Sequence, residues 1–441
     1  MTVSEMKRAK RHLQTTRKIK ELLPRFFMRM MARKDENEPL AWCMVGIPPE
    51  LLKVFDLLWE WPENFGTMCA ASMIALDFIK TAEGEGYSPE LCSYVTNTLG
   101  YCKKYVDTGE VPEAPLGGMG HPTMLLGSGF ACEPRWKWFQ TIATRYIDVP
   151  VYSSDPLAPP WDVDVDDPRI IEHYKEQLRR DLYGQIEFLE KQTGKKLDLD
   201  LLRELLKMSH EALKYWREVV YLRRAKPCPM GSTDYFSAII PQMYMIGEPE
   251  AVEFYKEMYE EVKHRVDNKI GVLEEEKYRL IWFGLPPWYN LGMFNYLESL
   301  GAVVAFESPY NITEWMEYDI SDPIEALVER TWSRARMIHA FGTETMPEIC
   351  NPAVFGGITG GNLLKHLVDE FSLDGAIMHL TRSCRVMSFG QIHSKNRLAE
   401  LGIPSLVFES DMADPRHWSD AQIKNRVQAF METLEKSKKS K

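Results

Sequence analysis

The chain is 441 residues long and lacks most of the short motifs that announce a chemistry. There is no GxxxxGK[ST] phosphate loop, so any ATP that enters its chemistry is expected to be bound by another protein. No GxSxG or HExxH occurs, which removes the common serine-hydrolase and zinc-protease signatures. No two cysteines stand as CxxC, so zinc ribbons and thioredoxin-like redox pairs have no support. Positive charge is also short: 53 Lys and Arg face 64 Asp and Glu, a formal net charge of −11. Nothing is left over to neutralise a phosphate backbone, which argues against a nucleic-acid partner. Long apolar runs are missing too. The longest, Phe236 to Gly247, is about half of a membrane span and is interrupted by Pro241 and Gln242. The basic N-terminus is not followed by an apolar segment of the signal-peptide kind, so a cytoplasmic protein without a membrane is expected.

What is present describes a globular chain. Hydrophobic residues make up 45% and charged residues 27%, enough for two or three domains with ample cores. Eight cysteines, at 43, 69, 92, 102, 132, 228, 350 and 384, do not suggest disulfides in a signal-free chain. Taken singly, each reads as a small buried hydrophobe. Twelve Trp and 23 Met suit either an ordinary core or an apolar, adaptable site.

The hydrophobic pattern divides the chain into four parts. Residues 1–38 form a basic helical arm with Ile19, Leu22, Leu23, Phe26, Phe27 and Met30 in helical rhythm, packed on the body or on a partner. Residues 39–165 read as an α/β lobe, with strands predicted at 41–47, 123–127 and 150–152. Helices are predicted from Pro49 to about Leu58, from Phe65 to Thr81, after Ser88 as N-cap, and from Pro134 to Arg145. Residues 166–275 read as mostly helical, after a Pro/Asp-rich linker and with breaks near Gly194 and Pro227. Residues 276–441 repeat the β/α alternation, with strands predicted at 278–283, 302–306, 375–380 and 405–408. Such alternation with short loops predicts two doubly wound, parallel-sheet (Rossmann-like) α/β lobes.

Three cysteines share a setting. Cys132 and Cys384 each follow a predicted strand and precede a helix, where open α/β sheets place ligands. Cys92 lies near the start of a helix. Thiolates converging from these places would form a metal site with one open position, and soft sulfur selects zinc, copper(I) or iron–sulfur. Arg382 and Arg385, flanking Cys384, are expected to favour its thiolate. The separations match no compact motif, so three core cysteines remain the alternative. Glu63 is the carboxylate best placed to act as a site acid or base, between the first strand and Cys92. Glu409, Asp411 and Asp414 read as caps or loop residues. The glycine-rich run Gly356–Gly361 resembles an anion nest without completing a nucleotide motif. His121, His379 and His393 show no metal spacing.

From Ala41 to the terminal helix the chain resembles the 2-hydroxyacyl-CoA dehydratase and benzoyl-CoA reductase family. The likeness is carried by GYSPELCSY around Cys92, by Cys132 with Trp136-Lys137-Trp138-Phe139, by EEKYRL at 275–280, by Arg382-Ser383-Cys384-Arg385 and by DMADPR at 411–416. Length and segment order resemble the larger of the two cluster-bearing subunits. The resemblance implies a [4Fe–4S] cluster on Cys92, Cys132 and Cys384 with the fourth iron open. It implies a homologous smaller subunit with its own cluster, and an ATP-hydrolysing iron–sulfur activator that delivers an electron. It also implies an acyl-CoA substrate reduced to a ketyl radical anion. Arg382 and Arg385 would then steady the thioester oxygen or the CoA phosphates.

One departure bears on the substrate. Where the best-matched dehydratases carry a serine near the substrate hydroxyl, this chain has Val45. That tilts the expectation toward benzoyl-CoA-type ring reduction, with 2-hydroxyacyl-CoA dehydration as the alternative. A cluster-carrying assembly or scaffold protein without turnover is the reading from another class.

Overall fold

The computed structural model describes residues 10–35, 38–129, 132–155, 159–160, 162–310, 319–343 and 363–439. Among these residues there are two four-stranded sheets, and every pairing is parallel. The first holds β1 (Leu40–Cys43), β2 (Leu58–Glu60), β3 (Met124–Ser128) and β4 (Val151–Ser154), in the order β2-β1-β3-β4. The second holds β5 (Tyr278–Phe283), β6 (Ala302–Glu307), β7 (Gly375–Thr381) and β8 (Ser405–Ser410), in the order β6-β5-β7-β8. The two orders are the same: each lobe begins in mid-sheet, steps one strand outward, then crosses back. The sequence shows only a loose parallel between halves, and the topology makes it definite.

Strands covered by helices on both faces need continuous apolar sequence rather than alternation. β1, β3 and β6 are buried at every residue, and β5 at all but its first. All four strands expected in the second lobe are present, as are those at β1, β3 and β4.

Several boundaries differ from the sequence reading. β2 was expected to be the end of a helix. That helix stops at Val54, Asp56 takes φ +52°, and the chain turns back to lay Leu58 beside Leu40. A single helix was expected over 65–81. It is two, Pro62–Ala71 and Ala75–Gly84, broken at Met73, which has φ +65°. The helix expected from Ser88 begins at Ser93, because Ser88 instead organises a turn, its hydroxyl accepting from the Glu90 N–H at 3.2 Å. β1 ends at Cys43, so Val45 lies in the loop beyond the strand. The Gly356–Gly361 run and Cys350 lie outside the described residues.

Between the sheets run the helices Pro168–Thr193, Leu199–Leu222, Ser232–Ala238, Ile240–Tyr244 and Pro249–Asp267. They are fastened to both lobes. Trp59 and Trp61 donate their indole N–H groups to Met243 O, at 3.3 and 2.8 Å. Arg223, fully buried, forks onto Glu307 at the end of β6, at 2.5 and 2.8 Å. The arm packs inward as well: the Leu13 N–H and the Thr16 hydroxyl both reach Asp234 Oδ1, at 3.1 and 2.5 Å. The helix Pro323–Thr343 sends Arg330 to Glu50, in the first turn of the helix Pro49–Val54, in a buried bidentate pair at 2.6 and 2.9 Å. Among the described residues no single helix is long and apolar enough to cross a membrane.

Candidate metal centre

In a sheet ordered β2-β1-β3-β4 the crossovers leave in opposite directions from β1 and β3, and a crevice opens beyond their carboxyl ends. The second lobe has its equivalent beyond β5 and β7. The sequence-selected residues collect at these two points. Val45 follows β1 and Cys132 follows β3, while Cys384 follows β7 at the topologically matching position. Cys92 joins them as the N-cap of the helix Ser93–Thr108.

Cross-lobe contacts bring the segments together. The Ser93 N–H donates to Ser383 Oγ at 3.0 Å, tying the residue after Cys92 to the residue before Cys384. Arg382 reaches Glu90 at 3.0 Å, and Arg385 reaches Glu133 at 3.0 Å. Each cysteine-bearing loop of one lobe is thus laced to the other lobe within two residues of its sulfur.

The three sulfurs act on one another electrostatically. All are half-buried, and desolvation is the leading cause that keeps each of them a thiol. Burial, with Cys132 and Asp411 adding to it, pushes Cys384 up to about 12. Cys92 is pushed well above the usual thiol range by burial, then by Cys384 and Cys132. Opposing this, backbone N–H groups are directed at the sulfurs: those of Val95 and Tyr94 at Cys92, of Arg135 at Cys132 and of Met387 at Cys384. Three loops that each open a helix therefore aim N–H donors at three sulfurs, an arrangement suited to negative sulfur.

Glu63, in the first turn of Pro62–Ala71, is fully engaged. Its Oε2 accepts from the Val45 N–H at 2.8 Å, and its Oε1 accepts from Arg135 Nε at 3.0 Å and from a terminal nitrogen of the same guanidinium. The other Arg135 terminal nitrogen donates to Val45 O at 2.8 Å. Glu63, Arg135 and the Val45 backbone form one closed knot, with the Val45 side chain turned to the surface at 36% exposure.

The arginines flanking Cys384 behave differently from the expectation. Arg382 and Arg385 are exposed and spend their charge on Glu90, Glu409 and Glu133. The cation that draws the Cys384 and Cys132 thiols downward is Arg135. Local sequence proximity misleads here because the segment is a turn, closed by the Cys384 N–H on Thr381 O at 3.0 Å and followed at once by a helix, and the long arginine side chains reach for solvent and surface partners.

Asp411, just past β8, is a cap, as its sequence context indicated. It accepts from the Ala413 and Asp414 N–H groups at 2.9 and 3.0 Å and from the Ser383 N–H and hydroxyl at 3.1 and 2.5 Å. It thereby fixes the loop that carries Cys384. Glu409 is exposed against Arg382, and Asp414 holds Arg416, which crosses to Glu83 of the first lobe. His379 is buried under Phe408 with both ring nitrogens bonded, to Leu285 O and to Ser410 Oγ, and burial holds it neutral, down to about 4.

An aromatic wall completes the site. Trp288 donates to the Tyr94 hydroxyl at 2.6 Å, and Phe236 packs edge-on against both Trp288 and Tyr310. Tyr94 and Tyr310 both sense the Cys384 sulfur. Gly66 makes room for this wall, since a Cβ there would stand 2.7 Å from the Tyr94 ring. Arg135, Tyr94, Trp288 and Tyr310 were not singled out from sequence. The pairing of Arg135 with Glu63 across 72 residues leaves no local trace, although Arg135 stands only three residues after Cys132.

Among the described residues no three His, Cys, Asp or Glu side chains converge closely enough for a single metal ion. One ion with bonds of about 2.3 Å to sulfur would draw three thiolates almost into contact. A polynuclear cluster does not, because each thiolate holds a different iron. Three mutually interacting thiols with N–H donors and an aromatic wall fit the second kind of group.

A family profile described as 2-hydroxyglutaryl-CoA dehydratase, D-component, matches residues 44–434. The chain is 29% identical to the (R)-2-hydroxyisocaproyl-CoA dehydratase alpha subunit of Clostridioides difficile, over 96% of both chains. It is 27% identical to the (R)-phenyllactyl-CoA dehydratase alpha subunit of Clostridium sporogenes, over 91% of both. It is 26% identical to a benzoyl-CoA reductase subunit of Thauera aromatica, over 96% of this chain and 94% of that one.

Proposed function

Because the chain belongs to the 2-hydroxyglutaryl-CoA dehydratase D-component family, we propose that it is one subunit of a hetero-oligomeric enzyme acting on an acyl-CoA thioester, with Cys92, Cys132 and Cys384 holding a [4Fe–4S] cluster that keeps one iron open. The observation that supports this most is the meeting of three thiols, drawn from both lobes, at the paired switch points. When bound, such a cluster supplies a low-potential electron and an open iron for an oxygen ligand. The partners are a homologous smaller subunit with its own cluster and an ATP-hydrolysing iron–sulfur activator, since this chain carries no phosphate loop of its own.

The chain's own residues do the positioning. Trp288, Tyr310 and Phe236 pack edge-on against one another, and with Tyr310 near the Cys384 sulfur this wall would exclude water from one side of the thiols. Glu63 is poised as a proton-transfer group only if Arg135 releases one of its oxygens; held as it is, it acts as a fixed anion. Arg382 and Arg385 stand at the exposed rim, where CoA phosphates would compete with Glu90 and Glu133 for them.

The substrate assignment leans to benzoyl-CoA-type ring reduction, because Val45 offers no side-chain hydrogen bond to a 2-hydroxyl group. A second reading, elimination of water from a 2-hydroxyacyl-CoA, is favoured by the dehydratase alpha subunits among the relatives. The test is anaerobic co-purification with the partner subunit, iron and sulfide analysis, then assay with activator and ATP on benzoyl-CoA and on a panel of 2-hydroxyacyl-CoAs. About four irons per chain are expected, with turnover of the aromatic thioester. Dehydration without ring reduction would replace the first reading with the second, and iron-free protein would remove both.

A further inference from the structure

We propose that Arg135 is the positioning residue that sets the electrostatics of the thiol centre: its buried guanidinium, clamped between the Glu63 carboxylate and the Val45 carbonyl, biases the group held by the three sulfurs toward its reduced form, and Glu63 opposes that bias. The inference rests on the cluster reading above and goes beyond it by naming what tunes the cluster.

Arg135 is 8% exposed. It makes three kinds of hydrogen bond, through Nε and both terminal nitrogens, to Glu63 and to Val45 O. It stands in the first turn of Pro134–Arg145, and its own backbone N–H is directed at Cys132. Its position beyond β3 puts it at the switch point, whereas Arg382 and Arg385 are exposed and paired elsewhere. In support, Arg135 stands three residues after Cys132, and both groups that hold it border the same crevice: the Val45 carbonyl just past β1 and Glu63 in the first turn of Pro62–Ala71. Glu63 sits on the same guanidinium and carries the opposite sign, so the pair is close to neutral as a whole. Removing either member unmasks the other. That gives an asymmetry that a purely structural clamp would not produce: the two single substitutions should move the cluster's potential in opposite directions.

The experiment is a redox titration followed by electron paramagnetic resonance, on the full chain with its partner subunit, anaerobically loaded. For Arg135→Gln, the reduced-to-oxidised ratio at a fixed potential should fall at least tenfold, a shift of about 59 mV toward negative values for one electron. For Glu63→Gln the ratio should rise. Arg135→Lys, which keeps the charge and loses the fork, should stay within about threefold of the parent, and the double variant Arg135→Gln/Glu63→Gln should fall between the two singles. Shifts of the same sign in both singles, or no shift in protein with a full cluster, would overturn the proposal. If Arg135→Gln fails to hold a cluster, Glu63→Gln decides: a negative shift or none sinks it. Parent protein that binds no iron fails at the first step, which refutes the cluster reading itself and takes this inference with it.

Discussion

The two lobes share one strand order, and their third strands, β3 and β7, each run out into a cysteine loop that opens a helix. What surrounds the two sulfurs differs. On the first lobe Cys132 has a partly buried ion pair beside it, Arg135 with Glu63, and Cys92 comes from the same lobe. On the second lobe the loop of Cys384 is fixed by hydrogen bonds to Asp411, and its charged residues point outward. The same topology thus provides the position of a sulfur twice, while the buried cation beside the sulfurs is supplied once, by Arg135 of the first lobe, and the second lobe adds the buried Asp411 carboxylate. A duplicated crevice becomes one site because one half supplies the cation and the other closes it.

The strongest way to break this comparison is to remove one sulfur from each lobe. Cys384→Ala and Cys132→Ala should each abolish cluster loading, measured as iron and sulfide per chain, because a site shared across lobes cannot be held by one of them. Cys102→Ala is the control, a buried cysteine in the helix Ser93–Thr108 away from the switch points, and it should retain full iron. A Cys384→Ala protein with a full cluster would mean that the second lobe contributes no ligand.

How much of this was legible beforehand follows from where each signal resides. Strands such as Tyr278–Phe283 and Gly375–Thr381 are readable because a strand buried on both faces must be apolar throughout. Cys132 and Cys384 are readable because a strand end followed by a helix start is a local pattern. β2 was missed because three residues, Leu58-Trp59-Glu60, carry too little periodicity, and the turn at Asp56 that frees them has no glycine to mark it. Arg135 and the wall of Tyr94, Trp288 and Tyr310 were missed because their meaning lies in partners far away in the chain. The flanking arginines misled for the opposite reason: they are near Cys384 in sequence and turned away from it in space.

The lobes are also joined away from the site, by Arg330 and Glu50. Both are buried, and although desolvation alone would raise the Glu50 carboxyl, Arg330 more than offsets it and holds it down at about 2. Arg330→Ala would strand a buried carboxylate, so a loss of about 3–5 kcal/mol is expected in urea denaturation. Arg330→Met, which fills the space without charge, leaves the same anion unpaired and should cost a similar amount. A loss below about 1 kcal/mol would show that Glu50 is not committed to this pair.

Acid should separate the lobes' contributions. His379 in the second lobe is held neutral, its value lowered by burial to about 4 from an ordinary 6.5. The unfolded chain therefore binds the extra proton first, and stability should fall as pH drops from 6.5 to about 4, by about 3 kcal/mol at most. Glu50 in the first lobe works in a lower window: its depressed value gives stability that is present above about 4.5 and lost as pH falls toward 2. Urea midpoints taken from pH 7 to pH 3 should show two successive losses, and His379→Gln should flatten the first and spare the second. An unchanged slope between pH 6.5 and 4 in that variant would assign the first loss to other groups.

The smallest effect distinguishes the buried Arg135 from an exposed pair that spans the lobes. Arg385 and Glu133 are 72% and 66% exposed, and solvent screening leaves such a pair about 0–1 kcal/mol. Arg385→Ala should accordingly leave urea stability within about 1 kcal/mol and iron content unchanged. If the residue meets CoA phosphates at the rim, the variant should raise KM for the acyl-CoA while kcat is kept, since a rim contact binds ground state and transition state alike. Loss of iron in Arg385→Ala would contradict the assignment of the centre's charge to Arg135, because it would mean that an exposed, already paired arginine governs the sulfur beside it.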